Sequence, residues 1–174
     1  MALKKPKNIP KISKAREKSI DKLKDSTPVK KESEIEFNCR MFFHRDSRKG
    51  NQKYRFTIET IRQFSFMNYE VTTKANKTKK NIDISIIGLT AKDDFVSKAQ
   101  PAYANVDFEE LYGEYTINII KQDGSINSAV VDFNIFKKEI KLVQTFLPEK
   151  ENNRTFCTFE VDDSMHTYSS EFMK

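Results

Sequence analysis

The sequence is poor in several residue types and lacks long apolar runs. Its 174 residues include no Trp, two Cys, four Gly and five Pro. No stretch of about eighteen apolar residues occurs, which argues against a membrane-spanning helix. Lysines fall within the first fifteen residues, where a secretory signal would carry its apolar core, so we expect a cytoplasmic protein.

Motifs of catalysis are missing as well. No serine lies in a G-x-S-x-G pattern, and no glycine-rich loop precedes a lysine. Three pairs of adjacent carboxylates lie in turn-like segments, where such groups are normally solvated. They are Asp93 and Asp94, Glu109 and Glu110, and Asp162 and Asp163. We therefore predict a protein that is not an enzyme and that uses no cofactor.

The few cysteines and histidines predict no metal site. Cys39 and Cys157 lie in apolar segments near the two ends of the predicted domain, and we expect both to be buried and reduced. A disulfide between them is the alternative. The only histidines are His44 and His166, and no pair of these residues has the short spacing of zinc ligands.

Residues 1–33 differ in composition from the rest of the chain. They contain no aromatic residue and eleven basic against four acidic residues, a net charge of +7. Because such composition is typical of disorder, we predict a largely disordered basic arm in which residues 12–24 can form a short helix on a partner. Its candidate partner-binding residues are Lys4, Lys5, Lys7, Lys11, Lys14 and Arg16.

Residues 34–174 form the predicted folded domain. They hold all fourteen Phe and six Tyr and have a net charge of −1. The charge is uneven, with +6 over residues 34–80 and −7 over residues 81–174. No basic residue occurs between Ala99 and Ile120, so this stretch is poorly suited to contact phosphates.

Alternation of apolar and polar residues predicts short strands in this domain. Segments 35–43 and 54–60 form one predicted hairpin, and Asp123 followed by Gly124 predicts a second, because both turn residues tolerate positive φ. Further strands are predicted at 82–86, 115–119, 129–135, 140–142 and 156–161.

Two segments have a less regular pattern. Residues 61–73 begin with helical spacing, so a strand is predicted there only from Asn68. Residues 90–105 contain Pro101 and predict a long connection, followed by one helical turn at 106–111. Seven or eight strands without long helices predict an all-β domain. We favour an antiparallel two-sheet sandwich of Greek-key or immunoglobulin type over a small barrel.

Two loops of the domain carry a concentration of positive charge and form a predicted binding patch. Phe42 and His44, with Phe64 or Phe66, add stacking surface, as in sites for single-stranded nucleic acid. The alternative is that these lysines keep strand ends soluble and edges unpaired. The basic residues are Arg45, Arg48, Lys49, Lys53, Lys74, Lys77, Lys79 and Lys80.

These features lead to two functional hypotheses. The first is a non-enzymatic accessory subunit of a larger intracellular assembly, in which the β domain docks on the complex and the basic arm contacts an acidic protein or RNA surface. The alternative is a dedicated nucleic-acid-binding protein that uses the arm and the loops at 45–53 and 74–80. Its acidic second half would then have to face away from the phosphates.

Overall fold

The computed structural model describes residues 34–45, 50–150 and 153–166. The predicted basic arm at 1–33, including its short helix at 12–24, lies outside the described residues, as do Arg48 and Lys49. The described residues form seven strands: β1 (Phe37–Arg45), β2 (Gln52–Lys77), β3 (Asn81–Phe108), β4 (Gly113–Lys121), β5 (Ile126–Asn134), β6 (Glu139–Phe146) and β7 (Cys157–Val161). A short 3-10 turn follows at Asp163–Met165.

All seven strands belong to one mixed sheet with the order β6-β5-β4-β3-β2-β1-β7. The β1–β7 and β3–β4 pairs are parallel, and the other pairs are antiparallel. The sheet curls until it is nearly closed into a barrel. The all-β class is therefore confirmed, whereas the antiparallel two-sheet sandwich is wrong. Alternation did not separate the two folds, because a barrel and a sandwich both bury every second side chain.

Both predicted hairpins are confirmed. β1 pairs with β2 from Phe37 opposite Thr60 to Arg45 opposite Gln52. β4 pairs with β5 around a turn in which Gly124 has a φ of 83°, a conformation that glycine adopts without a steric penalty.

The inward-facing side chains fill the barrel. Phe133 is fully buried, and the ring centroids of Tyr54, Phe56 and Tyr115 lie 5.0, 6.1 and 5.8 Å from its own. Other large, fully buried side chains include Phe43, Phe156, Met41, Ile58, Ile82, Ile84, Leu111, Ile117 and Ile119. Burial of this apolar surface is the main force that holds the sheet closed.

The two edge strands of the sheet, β6 and β7, approach each other at a place that we call the seam. Hydrogen bonds of side chains, rather than a backbone ladder, connect the sheet there. Asn127 is 3% exposed, and its Oδ1 accepts hydrogen bonds from the backbone N–H groups of Phe156 and Cys157, each at 2.8 Å. Its Nδ2 donates to the carbonyl oxygen of Arg154 at 2.8 Å. Beside these bonds lies a groove of about 390 Å³, lined in part by Phe146 and Phe159.

The long strands β2 and β3 form a hairpin that folds back on itself. They contain 26 and 28 residues. Tyr103 pairs with both Glu59 and Glu70, and Glu70 also pairs with Thr90, so each strand contributes two segments to the barrel. Between these segments, residues 61–69 and 91–101 project from the barrel as a paired ribbon, which we call the ribbon arch.

The predictions for the segments of the arch are wrong. Residues 61–73 are strand from the start, and the predicted connection at 90–105 is also strand. The predicted helical turn at 106–111 is wrong too, because β3 continues to Phe108. Most of the arch is exposed on both faces, so its sequence lacks the alternation of a half-buried strand. Pro101 pairs with Gln63 next to a register shift, where a strand tolerates proline.

The barrel has two ends, which we name by what they carry. The arch end holds the ribbon arch, the start of β1 and the β4–β5 turn at 122–125. The basic end holds the end of β1, the turn at 78–80, the loop at 109–112 and the turn at 135–138.

Candidate interaction surfaces

Side chains of the ribbon arch make contacts between residues that are not register partners. The rings of Phe64 and Tyr69 lie 4.8 Å apart between centroids. Gln100 Nε2 donates to Asn68 Oδ1 at 3.1 Å, and Asn68 Nδ2 donates to Asp94 Oδ2 at 2.9 Å. The two hydrogen bonds link the two strands of the arch in addition to the backbone ladder.

The middle of the arch exposes two phenylalanines. Phe66 is 78% exposed and Phe95 is 84% exposed. Phe66 pairs with Val96, and Phe95 pairs with Met67, the residue that follows Phe66. Phe66 also has a φ of 83°, which is unfavourable for a bulky side chain and often marks a functional segment.

The arch carries little net charge. Its basic side chains are Arg62, Lys92 and Lys98, and its acidic side chains are Asp93 and Asp94. Lys92 Nζ lies 3.1 Å from a carboxylate oxygen of Glu70 at the base of the arch. The Arg62 guanidinium lies 5.4 Å from the centroid of the Phe64 ring. The net charge of the arch is therefore +1.

The two predicted basic loops meet at the basic end. Lys53 Nζ lies 3.7 Å from Glu109 Oε1, and Lys77 Nζ donates to the carbonyl oxygens of Glu109 and Glu110 at 3.2 and 3.5 Å. The acidic segment expected to face away from the patch thus lies between the two loops. Its carboxylates reduce the positive potential at this point.

The other predicted loop residues are more widely spread. Lys80 Nζ donates to the carbonyl oxygen of Tyr112 at 2.9 Å and lies 4.7 Å from the centroid of the Tyr115 ring. Lys79 is exposed in the same turn, Lys74 is exposed on β2, and Arg45 ends β1.

Phe42 and His44 line a groove of about 470 Å³ on the outer face of β1 and β2. Phe42 is only 5% exposed, so it offers little surface for stacking. The arginines of this groove bind carboxylates. Arg55 makes two 2.7 Å hydrogen bonds to Asp107. Arg40 donates to a carboxylate oxygen of Glu59 at 2.9 Å and to one of Asp162 at 3.2 Å.

The structure also shows an exposed aromatic pair that sequence reasoning missed. Tyr112 is 60% exposed and Phe136 is 85% exposed, and their ring centroids lie 6.0 Å apart at the basic end. Phe136 is followed by Lys137 and Lys138 in the turn. The sequence Phe-Lys-Lys in a polar turn was the available signal, but its contact with Tyr112 depends on the tertiary fold.

An ion-pair network lies at the arch end. Lys121 Nζ and Arg154 Nη2 each lie 2.5 Å from a carboxylate oxygen of Glu36, and Arg154 Nη2 lies 3.4 Å from Asp123 Oδ2. Burial alone raises the pKa of Glu36, but the hydrogen bonds from Lys121 and Arg154 outweigh that effect and leave the pKa below its ordinary value.

The lowered pKa of Glu36 predicts a pH-dependent contribution to stability. At pH values above the ordinary carboxyl pKa of about 4.3, the free energy of unfolding of the wild type is expected to exceed that of Glu36→Gln by up to about 1 kcal/mol per ion pair. This gain should disappear as the pH falls through the lowered pKa of the folded state. Urea unfolding between about pH 7 and pH 2 measures it. A difference in stability between the wild type and Glu36→Gln that grows as the pH falls would contradict this assignment. At neutral pH, high salt should reduce that difference, because it screens the ion pairs.

The two cysteines are free and buried on the neighbouring strands β1 and β7, as predicted. Burial raises the pKa of the Cys39 thiol well above its ordinary value and that of Cys157 to about 12. Both side chains are therefore protonated thiols at neutral pH. Among the described residues, no group of three or more His, Cys, Asp or Glu side chains is arranged to hold a metal ion.

Comparisons with known proteins identified no relative. The chain matches no protein family, no curated protein and no solved structure. Within the part of the chain that the structure describes, no helix has the length and apolar character needed to cross a membrane.

Proposed function

We propose that this protein is a non-enzymatic binding subunit of a larger protein assembly and that it docks through the ribbon arch. The observation that carries this proposal is the exposure of Phe66 and Phe95 at neighbouring paired positions of the arch. In the same proposal, the basic arm at residues 1–33 contacts an acidic protein or RNA surface of that assembly.

Apolar burial is the main contribution expected from the arch. Enclosing a phenylalanine side chain gains about 1.5–3 kcal/mol, and a partner that encloses the middle of the arch buries both rings. The neighbouring Met67, which is 37% exposed, extends the apolar surface. A two-stranded ribbon has little stability alone, so a partner would also stabilise the arch.

A protein groove suits the arch better than a membrane surface. Asp93 and Asp94 directly precede Phe95, and their carboxylates would be repelled by the anionic lipids of a cytoplasmic leaflet. An apolar groove with polar or cationic edges accommodates both the ring and these carboxylates.

The double variant Phe66→Ser/Phe95→Ser tests this docking surface. We expect proteins that co-purify with the tagged wild type in fixed stoichiometry to fall about tenfold or more with this variant, because two buried rings are lost. Quantitative mass spectrometry after native purification measures the ratio. Ile135→Ser, which alters a 46% exposed apolar side chain at the other end of the barrel, is the control. Equal recovery with all three proteins would contradict the proposal.

Nucleic-acid binding by the arm and the loops at 45–53 and 74–80 is the second candidate function. The approach of Lys53 and Lys77 to the same segment, residues 109–110, favours it. The carboxylates of that segment weigh against a continuous phosphate-binding surface between the loops.

A further inference from the structure

The aromatic pair at the basic end combines exposure with a defined geometry. Tyr112 lies in the loop between β3 and β4, and Phe136 lies in the turn between β5 and β6. Their rings meet edge to face, with an interplanar angle of 79°. Because Phe136 is 85% exposed and Tyr112 is 60% exposed, both rings keep surface that a flat ligand can contact.

Lysines flank the aromatic pair on two sides. Lys80 donates to the Tyr112 carbonyl oxygen at 2.9 Å, which fixes the loop against the turn at 78–80. Lys79 is exposed beside it, and Lys137 is exposed directly after Phe136. Exposed aromatic rings between cations are the combination that binds single-stranded nucleic acid, where bases stack and phosphates contact lysines.

Acidic neighbours restrict which nucleic acid fits. Glu114 and Glu139 are exposed near the pair, and Glu109 lies toward the Lys53 side. A duplex is rigid, carries phosphates on two strands and keeps its bases stacked inside. A single strand can follow the lysines and present unstacked bases to the rings.

We propose that Tyr112 and Phe136 form a base-stacking platform for single-stranded nucleic acid, with Lys79, Lys80 and Lys137 contacting its phosphates. This inference rests on the second candidate function and deepens it by naming the ligand class and the stacking residues. It is independent of docking through the ribbon arch, which lies at the other end of the barrel.

Fluorescence anisotropy with the full-length protein tests the platform. The probes are labelled 20-nucleotide oligouridine, oligothymidine and a 20-base-pair duplex. We expect the wild type to prefer both single strands over the duplex. Tyr112→Ala/Phe136→Ala should weaken single-strand binding by about tenfold per ring without changing its dependence on salt, because the phosphate contacts remain.

Three further variants sharpen the result. Tyr112→Phe/Phe136→Tyr keeps both rings and should bind as the wild type does. Lys79→Gln/Lys137→Gln should reduce the slope of log K against log salt by about 1.4, at about 0.7 per phosphate contact on a single strand. Tyr103→Ala removes a ring that is 47% exposed on β3 and away from the basic end, and it should leave binding unchanged.

The outcomes separate the platform from the function on which it rests. Wild-type protein that binds none of the probes would overturn both. Binding that responds to Lys4→Gln/Lys5→Gln/Lys7→Gln but not to Tyr112→Ala/Phe136→Ala would overturn the platform and support the second candidate function. Equal affinity for the duplex and for the two single strands would also overturn the platform.

Discussion

Phe133→Ala is expected to lower the free energy of unfolding by about 4 kcal/mol. Phe133 is fully buried and contacts the rings of Tyr54, Phe56 and Tyr115. Its truncation removes apolar burial and leaves a cavity bounded by residues of β2 and β4, two strands held by the sheet that cannot collapse into it. Urea unfolding followed by both circular dichroism and tyrosine fluorescence measures the change.

Phe136→Ala is the matched control for this prediction. It makes the same chemical change three residues along the chain, at a side chain that is 85% exposed. Its effect should stay within about 0.5 kcal/mol. A loss below about 1 kcal/mol for Phe133→Ala would mean that Phe133 does not lie in the barrel interior.

Asn127→Ala is expected to destabilise the protein by about 3–4 kcal/mol. The variant leaves the backbone N–H groups of Phe156 and Cys157 and the carbonyl oxygen of Arg154 without the side chain that bonds them. Each unsatisfied buried group costs about 1–3 kcal/mol, and partial access of water through the seam limits the total. Unfolding in urea measures the change, and hydrogen exchange at Phe156 and Cys157 locates it.

Asn105→Ala is the control for the seam. Asn105 is exposed, and its Oδ1 accepts a 2.7 Å hydrogen bond from Thr57 on the outer face of the sheet. Its loss should cost about 1 kcal/mol or less. If Asn127→Ala speeds amide hydrogen exchange only in the β7 segment and Asn105→Ala leaves it unchanged, Asn127 holds β7 at the seam. Uniform effects of the two variants would contradict it.

Local alternation was enough to predict most of the strands and their buried faces. The inward-facing rows of β1, β4 and β5 follow directly from the sequence, and Gly124 marks a true hairpin turn. The closure of the sheet was not predictable in this way. It depends on the parallel pairing of β7 with β1, a contact between distant segments that leaves no local pattern.

The interaction surfaces show the same limit. The lysines of the two loops were visible in the sequence, and the structure brings Lys53 and Lys77 to one segment. The intervening position of Glu109 was not predicted. Residues 61–69 and 91–101 were missed as strands because a ribbon exposed on both faces needs no apolar period. The Tyr112–Phe136 pair needed the tertiary fold to bring two turns together.

The parallel pairing of β1 with β7 determines where reporter groups can be placed. Glu34 precedes β1 at the arch end, whereas Ser164 follows β7 beside the basic end. A dye at Glu34→Cys would therefore sense occupancy of the arch, and a dye at Ser164→Cys would sense occupancy of the opposite end. Because Cys39 and Cys157 are buried thiols with raised pKa values, maleimide labelling would favour the introduced site, and the two binding events could be followed separately in the folded protein.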